Sequence, residues 1–166
     1  FVGIILGMLH WTFVEYLIHR FYFHWKPRNK YIRRLVDSFH IYHHKNPRDM
    51  EVINSGALTG VIGLLFHYLT WLLLTWGDYY LAAIIVFGLL IAYAFYEWVH
   101  YSVHQRYYRS GIMKFMQEFH LTHHQYPKKN FGQISPIWDY LFQTSMRNEH
   151  VHNSELMKSF IKELRE

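Results

Sequence analysis

Ten histidines of this chain fall into four short groups whose spacing suits the binding of metal ions. Neutral imidazole is a good ligand for iron, zinc, copper and nickel. Residues three or four apart on an α-helix share one face, so the members of such a group can reach a common ion. We therefore predict a centre of two metal ions, with the ligands His19, His24, His40, His43, His44, His100, His104, His120, His123 and His124.

The first group differs from the others, because His19 and His24 are five residues apart. Five residues turn an α-helix through about 140°, so these side chains cannot share a face of one continuous helix. Either the helix ends between them or they bind different ions. In each of the two HxxHH groups, by contrast, we expect all three histidines to point to the same side.

The second HxxHH group repeats the first at an offset of 80 residues. Residues 39–47 read Phe-His-Ile-Tyr-His-His-Lys-Asn-Pro, and residues 119–127 read Phe-His-Leu-Thr-His-His-Gln-Tyr-Pro. The same offset carries His24 onto His104. We infer two pseudo-equivalent halves of five histidines each that close on one centre. Each half serves one ion, or both halves share the two.

Three carboxylates lie near these histidines in the sequence. Glu15 and Glu97 each precede the first histidine of a group by one helical turn. A buried carboxylate near the membrane end of a helix is costly unless it is paired, and accepting a hydrogen bond from a ligand imidazole is the usual solution. We expect both to orient ligands in this way rather than to bind metal. Asp139 either orients a histidine or caps the helix that follows Pro136.

Four histidines fall outside these groups. His10 and His67 lie within apolar segments, where we expect them to be packed or to line a pore, and His150 and His152 lie in a polar tail, where we expect them to be solvated.

The composition excludes several kinds of site. The chain has no cysteine, so disulfides, thiolate ligands and thiol nucleophiles are ruled out. Its net charge of +5 would suit nucleic acid, but the Lys and Arg residues all fall at 20–48 and 106–165, with none at 49–105. We therefore expect no nucleic-acid partner. The chain begins at Phe1 inside an apolar run, and we expect further residues to precede it.

The gap between the basic blocks contains two apolar segments, 55–76 and 79–98. Each is long enough, at about 1.5 Å per residue, to cross a bilayer core of about 30 Å. A Trp-Gly-Asp-Tyr-Tyr turn joins them, and residues 1–18 form a third apolar run. We predict an all-α integral membrane helical bundle that forms a single domain over residues 1–166, with a histidine-rich metal-binding cap.

The charge pattern also predicts the orientation of this bundle. Basic residues concentrate on the cytoplasmic side of a membrane, so we expect the cap to be cytoplasmic and the Asp78 turn to lie on the far side. The alternative is a soluble helical bundle with buried helices.

The chain resembles the fatty acid hydroxylase superfamily, which includes sterol desaturases and methyl oxidases, carotenoid ring hydroxylases and fatty acid 2-hydroxylases. The resemblance covers nearly the whole chain. It rests on the two HxxHH groups, the pair His100-x3-His104, the segment Glu-Tyr-Leu-Ile-His-Arg-Phe-Tyr-Phe-His at 15–24 and the segment Trp-Asp-Tyr-Leu-Phe at 138–142. The last two are most similar to the fatty acid 2-hydroxylase branch.

The resemblance implies a dinuclear non-haem metal centre, of iron or else zinc, that takes O2 as co-substrate and hydroxylates a lipid chain drawn from the bilayer. The 2-hydroxylase branch implies carbon 2 of a fatty acyl chain. Electrons would come from a separate donor protein, because the chain has no cysteine for a cluster and no flavin or nicotinamide fingerprint. The expected location is a bacterial inner membrane or the endoplasmic reticulum.

Other readings of the sequence remain. They are a carotenoid or sterol hydroxylase or desaturase of the same superfamily, a zinc-dependent hydrolase or isomerase, and a non-catalytic metal-binding membrane protein.

Overall fold

The computed structural model describes residues 1–53, 57–146, 158 and 161–165, and it contains no β-strand in those ranges. The predicted all-α fold is therefore confirmed. The elements are α1 (Val2–Leu17), π1 (the π-helix Ile18–Phe23), α2 (Lys30–Val36), π2 (the π-helix Asp37–Ile41), α3 (Tyr42–Lys45), α4 (Met50–Ile53), α5 (Ala57–Leu74), α6 (Tyr79–Gln105), α7 (Gly111–Gln125) and α8 (Ile137–Leu141).

Helices α1 and α6 form the main contact of the fold, and glycines bring their backbones close together. A Cβ atom added at Gly88 would overlap the backbone carbonyl of Ile4, and one added at Gly7 would overlap that of Ile85. Small residues allow this approach, which is a common way to pack helices in a membrane. The close contact fixes the end of α1 beside the end of α6, where both carry histidines.

Helices α5 and α6 form the predicted hairpin. Trp76 and Gly77 both take positive φ angles in the turn, of 55° and 87°. The Asp78 side chain then accepts a hydrogen bond from the Leu81 amide at 2.9 Å and caps α6. Helix α6 continues to Gln105, past the predicted membrane boundary at residue 98, and so carries His100 and His104 on a rigid extension. The start predicted for α5, at residue 55, lies outside the described residues.

The outer faces of the long helices are apolar and exposed. On α5, the side chains of Leu65, Phe66, Leu69 and Leu73 are each more than half exposed. Two helices, Val2–Phe23 and Tyr79–Gln105, are long and apolar enough to cross a membrane, and Thr59–Leu74 is apolar but shorter. In each long helix only 28% of the most apolar window is buried, which contradicts a soluble bundle with buried helices. The exposed apolar surface supports membrane association.

The remaining short helices gather at one end of α1 and α6 and form the cap. Helix α7 packs on α6, π1 contacts π2, and α8 contacts α1. The cap places all four histidine groups at the same end of the bundle, which is the end that carries the basic residues.

Candidate metal centre

The ten predicted ligands come together in the cap. Two groups have ligand atoms within 4.8 Å of one another. Cluster A consists of His19, His24, His40, His44 and His123, and cluster B consists of His43, His100, His104 and His120.

The tenth histidine, His124, lies beside cluster B where the two clusters meet. Its Nε2 is 3.0 Å from Nε2 of His120. Its ring stacks on that of His44 in cluster A, with centroids 4.3 Å apart and planes 19° from parallel. His44 and His124 thus stack on each other where the two clusters meet.

The π-helix π1 explains the unusual spacing of His19 and His24. A π-helix closes its hydrogen bonds between residues five apart, which brings such residues into line along the helix. The helix ends at His24, and the rings of His19 and His24 stack with centroids 5.4 Å apart. Both belong to cluster A, so the interpretation that the helix ends between them is confirmed and the one that assigned them to different ions is not supported.

Each HxxHH group divides its histidines between the two clusters, which corrects the expectation that all three point to one side. Residues four apart stay together: His40 with His44 in cluster A, and His120 with His124 at cluster B. The histidine between them crosses over, because a neighbouring position is rotated by about 100° around the helix. His43 therefore joins cluster B, and His123 joins cluster A.

This crossing gives the two clusters a pseudo-twofold relation. The offset of 80 residues carries His24, His40 and His44 of cluster A onto His104, His120 and His124 at cluster B, and it carries His43 of cluster B onto His123 of cluster A. His19 and His100 differ by 81 residues, and the π-helix in the first half absorbs this extra residue. Of the two arrangements left open by the sequence, the structure has the shared one.

The imidazoles point their Nε2 atoms inward. Eight Nε2–Nε2 contacts in the two clusters measure 2.8–3.2 Å. Nitrogen ligands at about 2.1 Å from a common ion are roughly 3.0–3.4 Å apart in octahedral or tetrahedral geometry. Lone pairs directed at one another at this spacing repel unless a cation lies between them. The donor set therefore fits metal ions, one in each cluster.

Backbone carbonyls hold two of these rings from behind. His19 Nδ1 donates to the carbonyl oxygen of Phe131, and His123 Nδ1 donates to that of Lys129 at 2.7 Å. A proton on Nδ1 leaves the Nε2 lone pair free for a metal, and such outer contacts orient ligands. Sequence reasoning missed these carbonyl groups, because backbone acceptors leave no side-chain pattern.

Burial keeps the cap histidines neutral. It lowers the pKa of His24 to about 4 and that of His44 to about 3. It also lowers the pKa values of the more deeply buried His40, His120, His123 and His124 to well below 6.5. Metal binding requires the neutral form of imidazole, so these residues are in the binding form at neutral pH without having to release protons.

Asp139 and Glu15 act on the loop that carries Phe131, not on histidines as predicted. The Asp139 carboxylate accepts hydrogen bonds from the Phe131 and Gly132 amides and from the Thr144 hydroxyl, at 2.7–2.9 Å. It does not cap α8, whose first turn follows Pro136. Glu15 accepts from the backbone amides of Gln133 and Ile134.

The two carboxylates therefore fix the loop, and the loop fixes His19. Glu97 is half-buried on α6, one turn before His100. Its predicted role as an orienting residue stays a prediction.

An apolar cavity of about 440 Å³ opens between α1, α5 and α6 directly below cluster A. His19 lines one end of it and His67 the other. Sequence reasoning predicted that His67 is packed or lines a pore, and it missed the rest of the lining, although Gly60, Gly63 and His67 share one face of α5 by their spacing. The lining residues are Trp11, Glu15, Ile18, His19, Tyr22, Phe23, Thr59, Gly60, Gly63, Leu64, His67, Leu89, Tyr93 and Tyr96.

A sequence model of the fatty acid hydroxylase family matches residues 4–144 of this chain. The chain belongs to the fatty acid hydroxylase family. Within this family it is 36% identical to mouse fatty acid 2-hydroxylase over 154 residues, which cover 90% of this chain and 41% of that protein. It is 31% identical to a dihydroceramide fatty acyl 2-hydroxylase of Arabidopsis thaliana over 147 residues, which cover 86% of this chain and 61% of that protein.

A solved fatty acid hydroxylase relative has the same fold. The structure of full-length scs7p, in which only the hydroxylase domain is visible, superposes with a TM-score of 0.79 at 27% identity and covers 89% of this chain and 58% of that one. The chain therefore spans less than two thirds of the length of each of these relatives.

Proposed function

We propose that this chain is a membrane-bound, O2-dependent oxygenase with two iron ions that hydroxylates a fatty acyl chain at carbon 2. The observation that carries the proposal is the apolar cavity that ends on His19 of cluster A. A lipid tail in this cavity would place one of its carbons beside the metal centre. The names of the relatives, which are fatty acid and dihydroceramide fatty acyl 2-hydroxylases, support the choice of substrate and position.

The ten histidines would hold the metal pair, and the bound metal would supply the activation of O2 that no side chain of this protein can provide. Imidazole also accepts zinc, and iron is proposed because the family carries out hydroxylation. Hydroxylation consumes one C–H bond, O2, two electrons and two protons, and it yields the alcohol and water. The electrons would come from a separate donor protein, because the chain has no cysteine.

The protein's own contribution is placement and exclusion of water. The phenol rings of Tyr93 and Tyr96 and the indole of Trp11 pack edge to face, with centroids 5.0 and 5.5 Å apart, and form one wall of the cavity. Such a wall binds an alkyl chain by burial of apolar surface, worth roughly 0.8 kcal/mol per methylene group. It also keeps bulk water from the inner face of cluster A.

The orientation of the centre is part of the proposal. The Lys and Arg residues that the structure describes all fall in the blocks at 20–48 and 106–165, which belong to the cap end of the bundle. The positive-inside rule then assigns the metal centre to the cytoplasmic side of an inner membrane or of the endoplasmic reticulum.

Growth under isotopically labelled O2 tests the reaction. The full-length protein is expressed with a competent electron donor, and the host lipids are compared by mass spectrometry with those of cells that express the His44→Ala, His124→Ala double variant. We expect one labelled oxygen atom at carbon 2 of a fatty acyl chain, and only with the unaltered protein.

Each alternative predicts a different result in this experiment. An oxygenated product without label would contradict the oxygenase mechanism and favour zinc-dependent hydrolysis. A labelled sterol or carotenoid would keep the mechanism and change the substrate. Unchanged lipids with metal fully loaded would favour a non-catalytic metal-binding protein.

A further inference from the structure

Two half-buried histidines contact each other between α1 and α5, away from the metal centre. His10 on α1 and His67 on α5 contact each other through Nε2 and Nδ1 at 3.3 Å, with their rings edge to face and 5.0 Å apart. Trp71 packs against His10 on the other side, with centroids 5.5 Å apart. Polar side chains within a membrane segment are costly unless they are paired, and here each imidazole pairs with the other. None of the roles assigned so far uses this pair.

The pair bridges two helices that otherwise stand apart. Helices α1 and α5 both pack on α6 and contact each other much less. The cavity lies in the space between them, and His67 is one of its lining residues. The contact between His10 and His67 therefore closes the gap between α1 and α5 at the end of the cavity opposite to cluster A.

Two glycines give the cavity its width. Gly60 and Gly63 line it from α5, about two turns and one turn of helix before His67, respectively. A Cβ atom at Gly63 would meet no atom within 4 Å, so its hydrogen faces open space. A Cβ atom at Gly60 would come within 3.0 Å of the Tyr93 hydroxyl. The space along this face of α5 is therefore open at Gly63 and closely bounded by Tyr93 at Gly60, and His67 is the next residue on this face.

We propose that the His10–His67 pair is the end wall of the lipid pocket and sets the longest acyl segment that the pocket holds below cluster A. This inference rests on the proposed function, because it takes the occupant to be an acyl chain. His10 precedes His19 by nine residues, which is about 13.5 Å along a helix. An extended chain with C–C bonds of about 1.5 Å advances roughly 1.25 Å per carbon, so the pocket accommodates about eleven carbons.

The test measures binding against chain length, independently of hydroxylation. The purified full-length protein in detergent is loaded with a fluorescent polyene fatty acid, which is displaced by saturated fatty acids from octanoic to icosanoic acid. In the unaltered protein, we expect affinity to rise by up to about fourfold per methylene group until the pocket is full. The chain length beyond which affinity no longer rises is the levelling point. His67→Ala removes the end wall and moves the levelling point to longer chains by roughly three carbons, the depth of an imidazole ring of about 4 Å.

Two further variants sharpen the test. Gly63→Leu fills open space in the middle of the pocket and should move the levelling point to shorter chains, and it decides the matter if His67→Ala does not fold. Phe66→Ala is the matched control, because this residue is adjacent to His67 but 65% exposed on the outer face of α5. All variants are compared in one detergent, so that partition of the fatty acids into micelles cancels.

The end wall is overturned if folded His67→Ala leaves the levelling point unmoved, if Gly63→Leu leaves it unmoved, or if Phe66→Ala moves it as much as His67→Ala does. Its failure is distinguishable from that of the proposed function. A levelling point that shifts in a protein without hydroxylase activity supports the end wall and counts against the hydroxylase alone. If the protein hydroxylates lipid but His67→Ala leaves the levelling point unmoved, the end wall alone is overturned.

Discussion

At the scale of single residues, the two clusters have separate sets of Nε2 contacts and meet through stacked rings. Nε2 of His24 contacts Nε2 of His40 and of His123 inside cluster A. Nε2 of His104 contacts Nε2 of His120 inside cluster B. The stacked pair of His44 and His124 joins the clusters. This arrangement predicts two ions that can be removed one at a time.

Replacing His24 by Ala should lower the affinity of cluster A for its metal ion and leave the affinity of cluster B unchanged. Loss of a ligand or its support lowers metal affinity by about 10- to 100-fold or more. Competition with a chelator should then leave about one ion per chain out of about two, as measured by elemental analysis. His104→Ala should give the same stoichiometry, and the double variant should retain none. His10→Ala is the control and should keep both. If either single variant loses both ions together, the clusters are not independent.

Asp139→Asn should weaken metal binding in cluster A, because it disturbs the loop that carries Phe131. The Asp139 carboxylate accepts hydrogen bonds from three donors. The amide of Asn has an NH2 group in place of one carboxylate oxygen, so at least one of these donors would face another donor. We expect a loss of about 1–3 kcal/mol in the free energy of unfolding, and an ion in cluster A that exchanges faster because the Phe131 carbonyl no longer holds His19 in place.

Thermal unfolding and chelator competition measure the two effects of Asp139→Asn separately. Asp49→Asn serves as the control, because Asp49 lies in an exposed turn, where its carboxylate accepts from the Tyr42 hydroxyl and the Glu51 amide. Equal weakening of both ions would show that Asp139 has only a general structural role.

At the scale of elements, the π-helix π1 is where the spacing of the paired histidines differs between the two halves of the chain. In α6 the two histidines are four residues apart on a regular α-helix, and in π1 the corresponding residues are five apart. An α-helix that is one residue shorter would hold the first pair in the same way as the second.

Deletion of Phe21 should therefore convert π1 into an α-helix and keep the metal in cluster A. Phe21 is 59% exposed, so its loss removes little packing, and π-helices are rare because they are less stable than α-helices. We expect an unchanged metal content and an equal or higher unfolding temperature. Deletion of Tyr101 from α6 is the comparison, and it should remove the ion from cluster B. Loss of metal on deletion of Phe21 would show that the wide turn is itself required.

The sequence predicted the elements better than it predicted the partition of ligands between the clusters. Hydrophobic length predicted α1, α5 and α6, and spacing predicted all ten histidines of the cap. The crossing of His43 and His123 was not predictable, because a spacing of three or four residues tells which side chains share a helix face only to within about 60°. The roles of Asp139 and Glu15 were missed for another reason: their partners are backbone amides of a loop whose course the sequence does not specify.

At the scale of the whole molecule, the apolar surface and the charge pattern predict how the bundle sits in the membrane. The exposed side chains of α5 require a lipid environment, and the Asp78 turn lies at the end of the bundle opposite to the cap. The chain has no cysteine, so single cysteines report position without background.

A reagent that does not cross membranes should label a cysteine at Asp78 from outside intact cells, and it should not label one at Asn46 or Lys128 until the cells are opened. The reason is that Asp78 belongs to the turn between α5 and α6, whereas the other two follow the HxxHH groups. For an endoplasmic reticulum protein, sealed microsomes take the place of cells and the expected pattern is reversed. Labelling of all three sites from one side would contradict the hairpin.

The exchange of histidines between the clusters also bears on the origin of the fold. Residues before Asp78 supply four ligands to cluster A and one to cluster B, and residues after it supply one to cluster A and three to cluster B, with His124 beside cluster B as a fourth. In a symmetric homodimer, residue i of one subunit contacts j of the other, and j contacts i. The same reciprocity inside one chain is what fusion of a gene to its own copy would leave behind. The two halves, expressed as separate polypeptides, would then be expected to bind metal only when they are mixed.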